Sequence, residues 1–313
     1  VKKISICIAC YNEEKNIPLL YESLKKVINY INNYYFEIIF ADNASTDSSV
    51  DILKSIAKKD KRVKIIINNR NFGPLRSGKN CLFRAKGDAI ISITCDLQDP
   101  PEMIPKFIEK WEKGELVVWG QKTKSKENIF MYAIRTLYYK ILKKFSSLPQ
   151  YDHVTGFGLL DKQVLDNAKK YSDNFIGIKA LVVELGYKVC LVPYTQEKRN
   201  AGKSSYNFSR YLDLGISRLV QSSTLPLRIA TVLGVIMSIC FFIIAIIYFI
   251  IKLCWWDTYP IGIGPLIISI FFIGSVQLMF IGVLGEYIGQ ILSRIMPAPL
   301  VIEKELINFD EEL

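Results

Sequence analysis

The chain has one histidine, His153, in 313 residues. No cysteine or second histidine stands at ligand spacing from it, which argues against a zinc site. No G-x-G-x-x-G follows the first predicted strand, so a dinucleotide-binding dehydrogenase is excluded. Gly202-Lys203-Ser204 looks like the end of a phosphate-binding P-loop, but the earlier glycine that such a loop requires is Glu197 here. Seven cysteines, an odd number scattered through apolar segments, do not make a disulfide framework. Cys7 and Cys10 form a C-x-x-C, but on a strand they point to opposite faces and read as core residues. No secretory signal is expected, because Val1-Lys2-Lys3 leads straight into the first strand. Acid is scarce relative to base, with 30 Asp and Glu against 40 Lys and Arg and a net charge of +10. Such a chain suits nucleic acid, anionic lipid or small anionic substrates. The long apolar runs described below make the anionic cytoplasmic leaflet the plainest partner and leave no role for nucleic acid.

What is present begins as alternating strands and helices. Lys3–Cys10, Phe36–Ala41, Val63–Ile67 and Ala89–Thr94 are β-branched runs that read as strands. Helices are predicted between them, over about Asn16–Asn32, Ser48–Lys58 and Pro74–Ala85. The short connections imply a parallel, doubly wound sheet with right-handed crossovers, an α/β fold. A helix over Glu102–Trp111 and a strand over Leu116–Gly120 follow. Tyr151–Asp161 reads as a loop leading into a short strand. Lys188–Val192 reads as the last strand, ended by Pro193, and Tyr194–Tyr206 as a basic, flexible loop.

Three polar clusters stand at the carboxyl ends of predicted strands: residues 11–14, 42–47 and 94–99. A parallel sheet brings them to one edge, where ligands bind in open α/β folds. In the third, the apolar run Ile90-Ile91-Ser92-Ile93 gives way to Thr94-Cys95-Asp96-Leu97-Gln98-Asp99, and Pro100 and Pro101 forbid a continuing ladder. Asp96, Gln98 and Asp99 are hard oxygen donors at that edge, suited to a divalent cation and a phosphate-bearing substrate.

The last third of the chain is of another kind. Ile229–Ile251 is an uncharged apolar run of 23 residues. As a helix it would extend about 34 Å, against a hydrocarbon core of about 30 Å. Ile261–Gly285 is a second run in which only Gln277 is strongly polar. Trp255, Trp256 and Tyr259 in the connector form an aromatic belt, while Arg228, Arg294 and Lys304 flank the pair, which places both termini in the cytoplasm. Helices over Asn128–Phe145 and Phe208–Ser222 are basic and amphipathic. The second reads as interfacial; the first lies on a membrane surface or packs with a solvated basic face.

Tyr11-Asn12-Glu13-Glu14, the run Asp42–Asp47, Asn71-Phe72-Gly73, Gly87-Asp88 and Asp96–Glu102 together resemble family 2 glycosyltransferases of the GT-A fold. Thr155-Gly156-Phe157-Gly158-Leu159, Ala201-Gly202-Lys203-Ser204 and the closing pair of apolar helices narrow the resemblance to the polyprenyl-phosphate hexosyltransferases, the dolichol-phosphate-mannose-synthase-like branch. The resemblance covers nearly the whole chain. It implies a GT-A catalytic domain over 1–206, an interfacial helix and linker over 207–226, two transmembrane helices within 227–290 (about 229–251 and 261–285) and a cytoplasmic tail over 291–313. It further implies inverting transfer of a hexose from a UDP- or GDP-sugar to undecaprenyl or dolichyl phosphate at the cytoplasmic face of the cell membrane. Carried residue by residue, Tyr11, Glu13, Asp42 and Thr94 would line the nucleotide-sugar pocket. Asp96 would hold Mg2+ or Mn2+ at the diphosphate with Gln98 beside it. Arg135, Arg199, Lys203 and Ser204 would hold donor or acceptor phosphates, and Asp152 would act as a base or orient the acceptor. Exposed faces of membrane helices also suit a homo-oligomer.

Three departures from the family pattern stand out. Ala9 replaces a proline in the first strand, Asn43 replaces the second acid of D-D-G-S, and Thr94 replaces the first acid of D-x-D. The last motivates a rival reading, a catalytically silent membrane scaffold or partner subunit. A processive polysaccharide synthase of the same superfamily would carry Q-x-x-R-W and more spans, and neither is present in the sequence.

Overall fold

The computed structural model describes residues 1–124, 151, 153–171, 177–196, 263–295 and 299–309, with isolated positions between 232 and 254. The chain divides into two compact units. One comprises Val1–Tyr139, Leu148–Ser205 and Pro297–Leu313, the other Lys140–Ser147 and Tyr206–Met296.

The first unit is built on a sheet of eight strands: β1 (Lys2–Cys10), β2 (Tyr34–Asp42), β3 (Val63–Asn68), β4 (Ala89–Ser92), β5 (Val117–Lys124), β6 (Val154–Asp161), β7 (Cys190–Thr195) and β8 (Glu303–Ile307). Their order is β7-β5-β6-β4-β1-β2-β3-β8. The run β4-β1-β2-β3 is parallel throughout, as the short crossovers require. β6 enters antiparallel between β4 and β5, and β7 pairs parallel with β5.

Helices cover both faces, which is why β1 to β4 are buried on both sides along most of their length and mostly apolar. α1 (Asn16–Asn29), α2 (Ser49–Lys59) and α4 (Ile104–Glu112) lie on one face, where Leu20, Leu24, Leu53 and Phe107 pack with Ile4, Ile6, Ile8 and Cys10. α3 (Pro74–Arg84), α5 (Lys162–Lys169) and α6 (Ile178–Glu184) lie on the other, packing Leu82, Leu165 and Val182 with Cys7, Ile39 and Ile66. Cys7 and Cys10 are thus buried on opposite faces, as the strand reading expects.

Several expectations need correction. β4 ends at Ser92, two residues before the expected Thr94. The stretch read as a loop into a short strand is the eight-residue β6. Its glycines weaken the strand signal, but a Cβ on Gly158 would collide with Val118 O of the adjacent strand, so close strand approach demands glycine there. Pro193 lies inside β7 rather than ending it. β7 is an edge strand, where a missing N–H costs little. α5, α6 and β8 carry no strong sequence signal. β8 adds antiparallel to β3, and its charged residues are anchored by ion pairs: Glu303 with Arg84 at 2.7 Å and Glu305 with Lys54 at 2.7 Å.

The second unit includes α7 (Ile263–Ile295), a continuous backbone helix of 33 residues whose side chains are described only in part. Among the described residues no helix is long and apolar enough to cross a membrane. The predicted helices over 128–145 and 208–222 lie outside the described residues.

At the edge where the parallel strands start, one buried carboxylate ties three of them together. Glu37, 1% exposed, accepts from Ser5 Oγ at 2.5 Å and from the Lys86 N–H at 3.0 Å. It also pairs with Lys3 at 2.7 Å and Lys64 at 3.0 Å. Gly87 donates to Ser5 Oγ and Asp88 accepts from the Lys3 N–H, so the Gly87-Asp88 pair pins the start of β1. Burial pushes the Glu37 carboxyl up, but hydrogen bonds from Lys3, Ser5, Lys86 and Lys64 outweigh it and hold the pKa at about 2, against a usual 4.5. A depressed carboxylate stabilises fully above its unfolded pKa, and that stability is lost as pH falls through the folded value. Between pH 4.5 and 2 the protein should therefore lose roughly 3 kcal/mol from this group. Glu37→Gln is expected to be less stable at pH 7 and to show a flatter pH profile in that window. Urea midpoints from pH 7 to pH 2 check this, and parallel profiles for the two proteins would refute it.

Candidate functional site

The register Cys10↔Asp42 ends β1 and β2 level with each other, and the Ile93 N–H on Cys7 O carries the end of β4 to the same edge. The loops 11–14, 42–47 and 94–99 therefore emerge together, as the parallel sheet predicts, and 68–73 follows from β3. The first two are knitted into one surface. The Asn12 N–H donates to Ser45 Oγ at 2.9 Å, and Asn12 Oδ1 accepts from the Thr46 N–H at 2.8 Å. The Glu13 N–H donates to Ser49 Oγ at 2.9 Å and the Ser48 N–H to Glu14 at 3.2 Å. Each of the three loops holds one non-glycine residue in the left-handed region: Asn12 at φ 55°, Ala44 at 61° and Leu97 at 59°. Such backbone is costly for a side-chain-bearing residue and persists where its surroundings enforce it, most often at functional sites.

Tyr11 is exposed on this edge. Glu13 is half-buried at the start of α1, where it accepts from Asn16 Nδ2 at 2.5 Å. Asp42 is fully buried, and its two oxygens accept from the Ser45 N–H and hydroxyl. Its carboxylate shapes the 42–47 turn. Asn43, in place of an acid, works as an amide on both sides. Its Oδ1 accepts from Asn68 Nδ2 and the Phe72 N–H, and its Nδ2 donates to Asn71 Oδ1 at 2.8 Å. Asn71 Oδ1 is already held by the Gly73 N–H at 2.9 Å, so a carboxylate at 43 would meet an oxygen where a donor is required.

In the third loop Thr94 is exposed, and Asp96 and Gln98 are half-exposed. Thr94 Oγ1 lies 2.8 Å from Asp96 Oδ1 and 2.8 Å from Asp99 Oδ2. A threonine hydroxyl has a single proton, so one of these two contacts needs a proton from a carboxyl. Asp99 is the one disposed to carry it. It is 2% exposed, and burial pushes its carboxyl up against the opposing effect of hydrogen bonds from Tyr194 and Thr94. Tyr194 donates to Asp99 Oδ1 at 2.7 Å, and its phenol is pushed up by burial and by Asp99. Gln196 Nε2 donates to Gln98 Oε1 at 3.0 Å.

These residues fit a hard divalent cation. Asp96 Oδ1 takes Thr94 and the Gln98 N–H, while Oδ2 accepts no hydrogen bond among the described residues. Gln98 Oε1 keeps one lone pair beside its bond from Gln196. No group of three or more His, Cys, Asp or Glu at metal-binding distance occurs among the described residues. A small hard cation can be held by one or two carboxylates and complete its shell with water and substrate phosphate. Arg135, Asp152, Arg199, Lys203 and Ser204 lie outside the described residues. The sequence counts Asp99 among the hard oxygen donors for a cation, but the structure buries it and spends both its oxygens on Thr94 and Tyr194; Tyr194 and Gln196 escape the sequence reading because Pro193 reads as a strand end. The apolar alternation Val192, Tyr194 across that proline was the available signal. A cleft of about 610 Å³ lined by Lys2, Trp111 and Asp161 opens on the opposite edge, away from these loops.

Comparison with known proteins gives three findings. The profile described as "Glycosyl transferase family 2" matches residues 5–168. The chain is 34% identical over 299 residues to an uncharacterized glycosyltransferase, YkcC, of Bacillus subtilis (strain 168), covering 95% of this chain and 92% of that one. It is 32% identical over 305 residues to the prophage bactoprenol glucosyl transferase homolog of Escherichia coli (strain K12), covering 97% and 99%. Among solved structures, glucosyl-3-phosphoglycerate synthase from Mycobacterium tuberculosis, in complex with Mn2+, uridine-diphosphate and phosphoglyceric acid, superposes with a TM-score of 0.48 at 15% identity, over 71% of this chain and 78% of that one.

Asn43→Asp is expected to destabilise the protein by about 1–3 kcal/mol, the cost of a lost donor facing a buried acceptor. Chemical denaturation at neutral pH checks this, and a variant as stable as the parent would show that the amide is not required.

Proposed function

The chain belongs to glycosyl transferase family 2, and on that premise we propose that this GT-A-like enzyme transfers a hexose from a nucleoside-diphosphate sugar to the phosphate of a membrane polyprenol. The observation that carries the reading is the full-length likeness to bactoprenol glucosyl transferases, which takes in both the 94–99 loop and the apolar C-terminal third. A phosphate oxygen of the acceptor attacks the anomeric carbon with inversion, and the bond from that carbon to the nucleoside diphosphate breaks. The nucleophile is already anionic near neutral pH, so no strong general base is demanded. A bound Mg2+ or Mn2+ would neutralise charge on the departing diphosphate. Asp96 would hold that ion with Gln98 beside it, and Thr94 supplies a hydroxyl where a second charge would otherwise stand. Tyr11 and Glu13 flank the nucleoside side of the edge, and Asp42 supports it by holding the 42–47 turn. Arg135, Arg199, Lys203 and Ser204 take up phosphate charge, with Asp152 orienting the acceptor.

The two apolar runs form a transmembrane hairpin in this reading, with the catalytic domain and both termini in the cytoplasm. Two features support it. Ile236, Ile239, Ile243, Ile247 and Ile250 recur at helical spacing and are each about half exposed, an apolar stripe that suits lipid. In α7 the same holds for Leu266, Ile270, Ile281, Leu284, Ile288 and Ile291. Such faces also suit pairing with a second copy.

The test is transfer from a panel of UDP- and GDP-hexoses to undecaprenyl phosphate, with Mg2+ or Mn2+ and purified protein, read by the mass of the lipid product. Membranes should retain the protein through an alkaline wash. Asp96→Ala should lower turnover by about 100-fold or more with an unchanged circular dichroism spectrum. A folded protein inactive across the panel sinks the reading, and near-normal turnover of the variant removes Asp96 from it.

A further inference from the structure

Asp96 sits on a loop that has left the sheet. β4 ends four residues before it, and Leu97 beside it is left-handed. Its carboxylate is oriented by the Thr94 hydroxyl at 2.8 Å and, more weakly, by the Gln98 N–H at 3.3 Å. Thr94 is exposed and its hydroxyl is a free rotor unless something holds it. That something is Asp99, 2.8 Å away and buried, and Asp99 is held by Tyr194 at 2.7 Å.

Tyr194 in turn has little freedom to move. Its ring packs edge-on against Phe157 at 5.3 Å, and Phe157 packs against Phe107 at 4.9 Å. A Cβ on Gly120 would stand 2.9 Å from the Tyr194 ring, so the ring fills the space that any side chain at 120 would take. The chain of contacts therefore starts in a rigid aromatic stack on α4, β6 and β7, with Gly120 of β5 beside it, and ends on the carboxylate of the loop after β4. Partners behind a liganding carboxylate hold it in its productive orientation.

We infer that Tyr194 is a positioning residue, acting through Asp99 and Thr94 to fix the Asp96 carboxylate for a divalent cation and a nucleoside diphosphate. The inference rests on the cation-holding role proposed above for Asp96. It also assigns a purpose to Phe157 of the T-G-F-G stretch, to Gly120, and to the tyrosine that follows Pro193.

The test is a Mn2+ titration of the full-length protein followed by electron paramagnetic resonance, with UDP present and separately with GDP. Tyr194→Phe keeps the ring and removes one oxygen; Asp99→Ala removes the middle of the chain. Both should weaken nucleotide-dependent Mn2+ binding by about 10-fold to 100-fold, the range for partners behind a metal ligand. In turnover they should lower kcat and raise the Mn2+ needed for half-maximal rate, with KM for the lipid unchanged. Gly120→Ala displaces the ring without touching a polar atom and should shift Mn2+ affinity the same way. Thermal midpoints of all three variants separate this effect from unfolding. Wild-type Mn2+ affinity in both Tyr194→Phe and Asp99→Ala, alongside loss of binding in Asp96→Ala, overturns the inference alone. Absence of any Asp96-dependent Mn2+ binding in the parent protein overturns it together with the functional reading.

Discussion

The parallel pairing of β4, β1, β2 and β3 is the constraint on which the rest depends. Short crossovers force each helix back over the sheet, so every strand in this half starts at one edge and ends at the other. The starting edge is locked by Glu37, whose carboxylate gathers Ser5, Lys3, Lys64 and the Lys86 N–H. The finishing edge is thereby left to the loops. Polar residues that are far apart in the chain meet there because the ladder has already aligned the strands that carry them.

Those loops are held largely by one another. Asn12, Ser45, Asp42 and Asn43 spend their polar atoms on neighbouring loop groups, which satisfies groups that burial would otherwise penalise and sustains the left-handed Asn12 and Ala44. A surface organised in this way needs little reordering when an anionic substrate arrives. The replacement of two customary acids by Asn43 and Thr94 fits the same logic. Each neutral side chain faces an oxygen that a carboxylate would repel: Asn71 Oδ1 beside Asn43, and the Asp96 and Asp99 carboxyls beside Thr94.

The other half of the sheet supports that surface. β6 enters antiparallel, which places the T-G-F-G stretch between β4 and β5 rather than at a loop tip. Its Phe157 braces Tyr194, and through Asp99 and Thr94 that brace reaches Asp96. The end of β7 also holds Gln98 through Gln196. β8 closes the far side of the sheet and covers the edge of β3, with charged residues on its exposed face as edge strands commonly have.

The sequence by itself determined the α/β class, the parallel direction of the first four strands, the shared edge of the three polar clusters and the apolar character of the last third. These follow from local periodicity and short connections, which physics restricts to few solutions. Asp96 stood out for the same reason: an acid just past a buried strand and just before two prolines has few other places to be. Only the tertiary structure decided that β6 is a central strand, that Pro193 is tolerated at an edge, that residues 303–307 return to the sheet, and that Tyr194 stands behind Asp99. Each depends on which strands lie side by side. Glycines demanded by a neighbour's backbone, or a tyrosine facing an aspartate 95 positions away, leave no periodic mark on the chain, because the force that selects them acts across the sheet rather than along it.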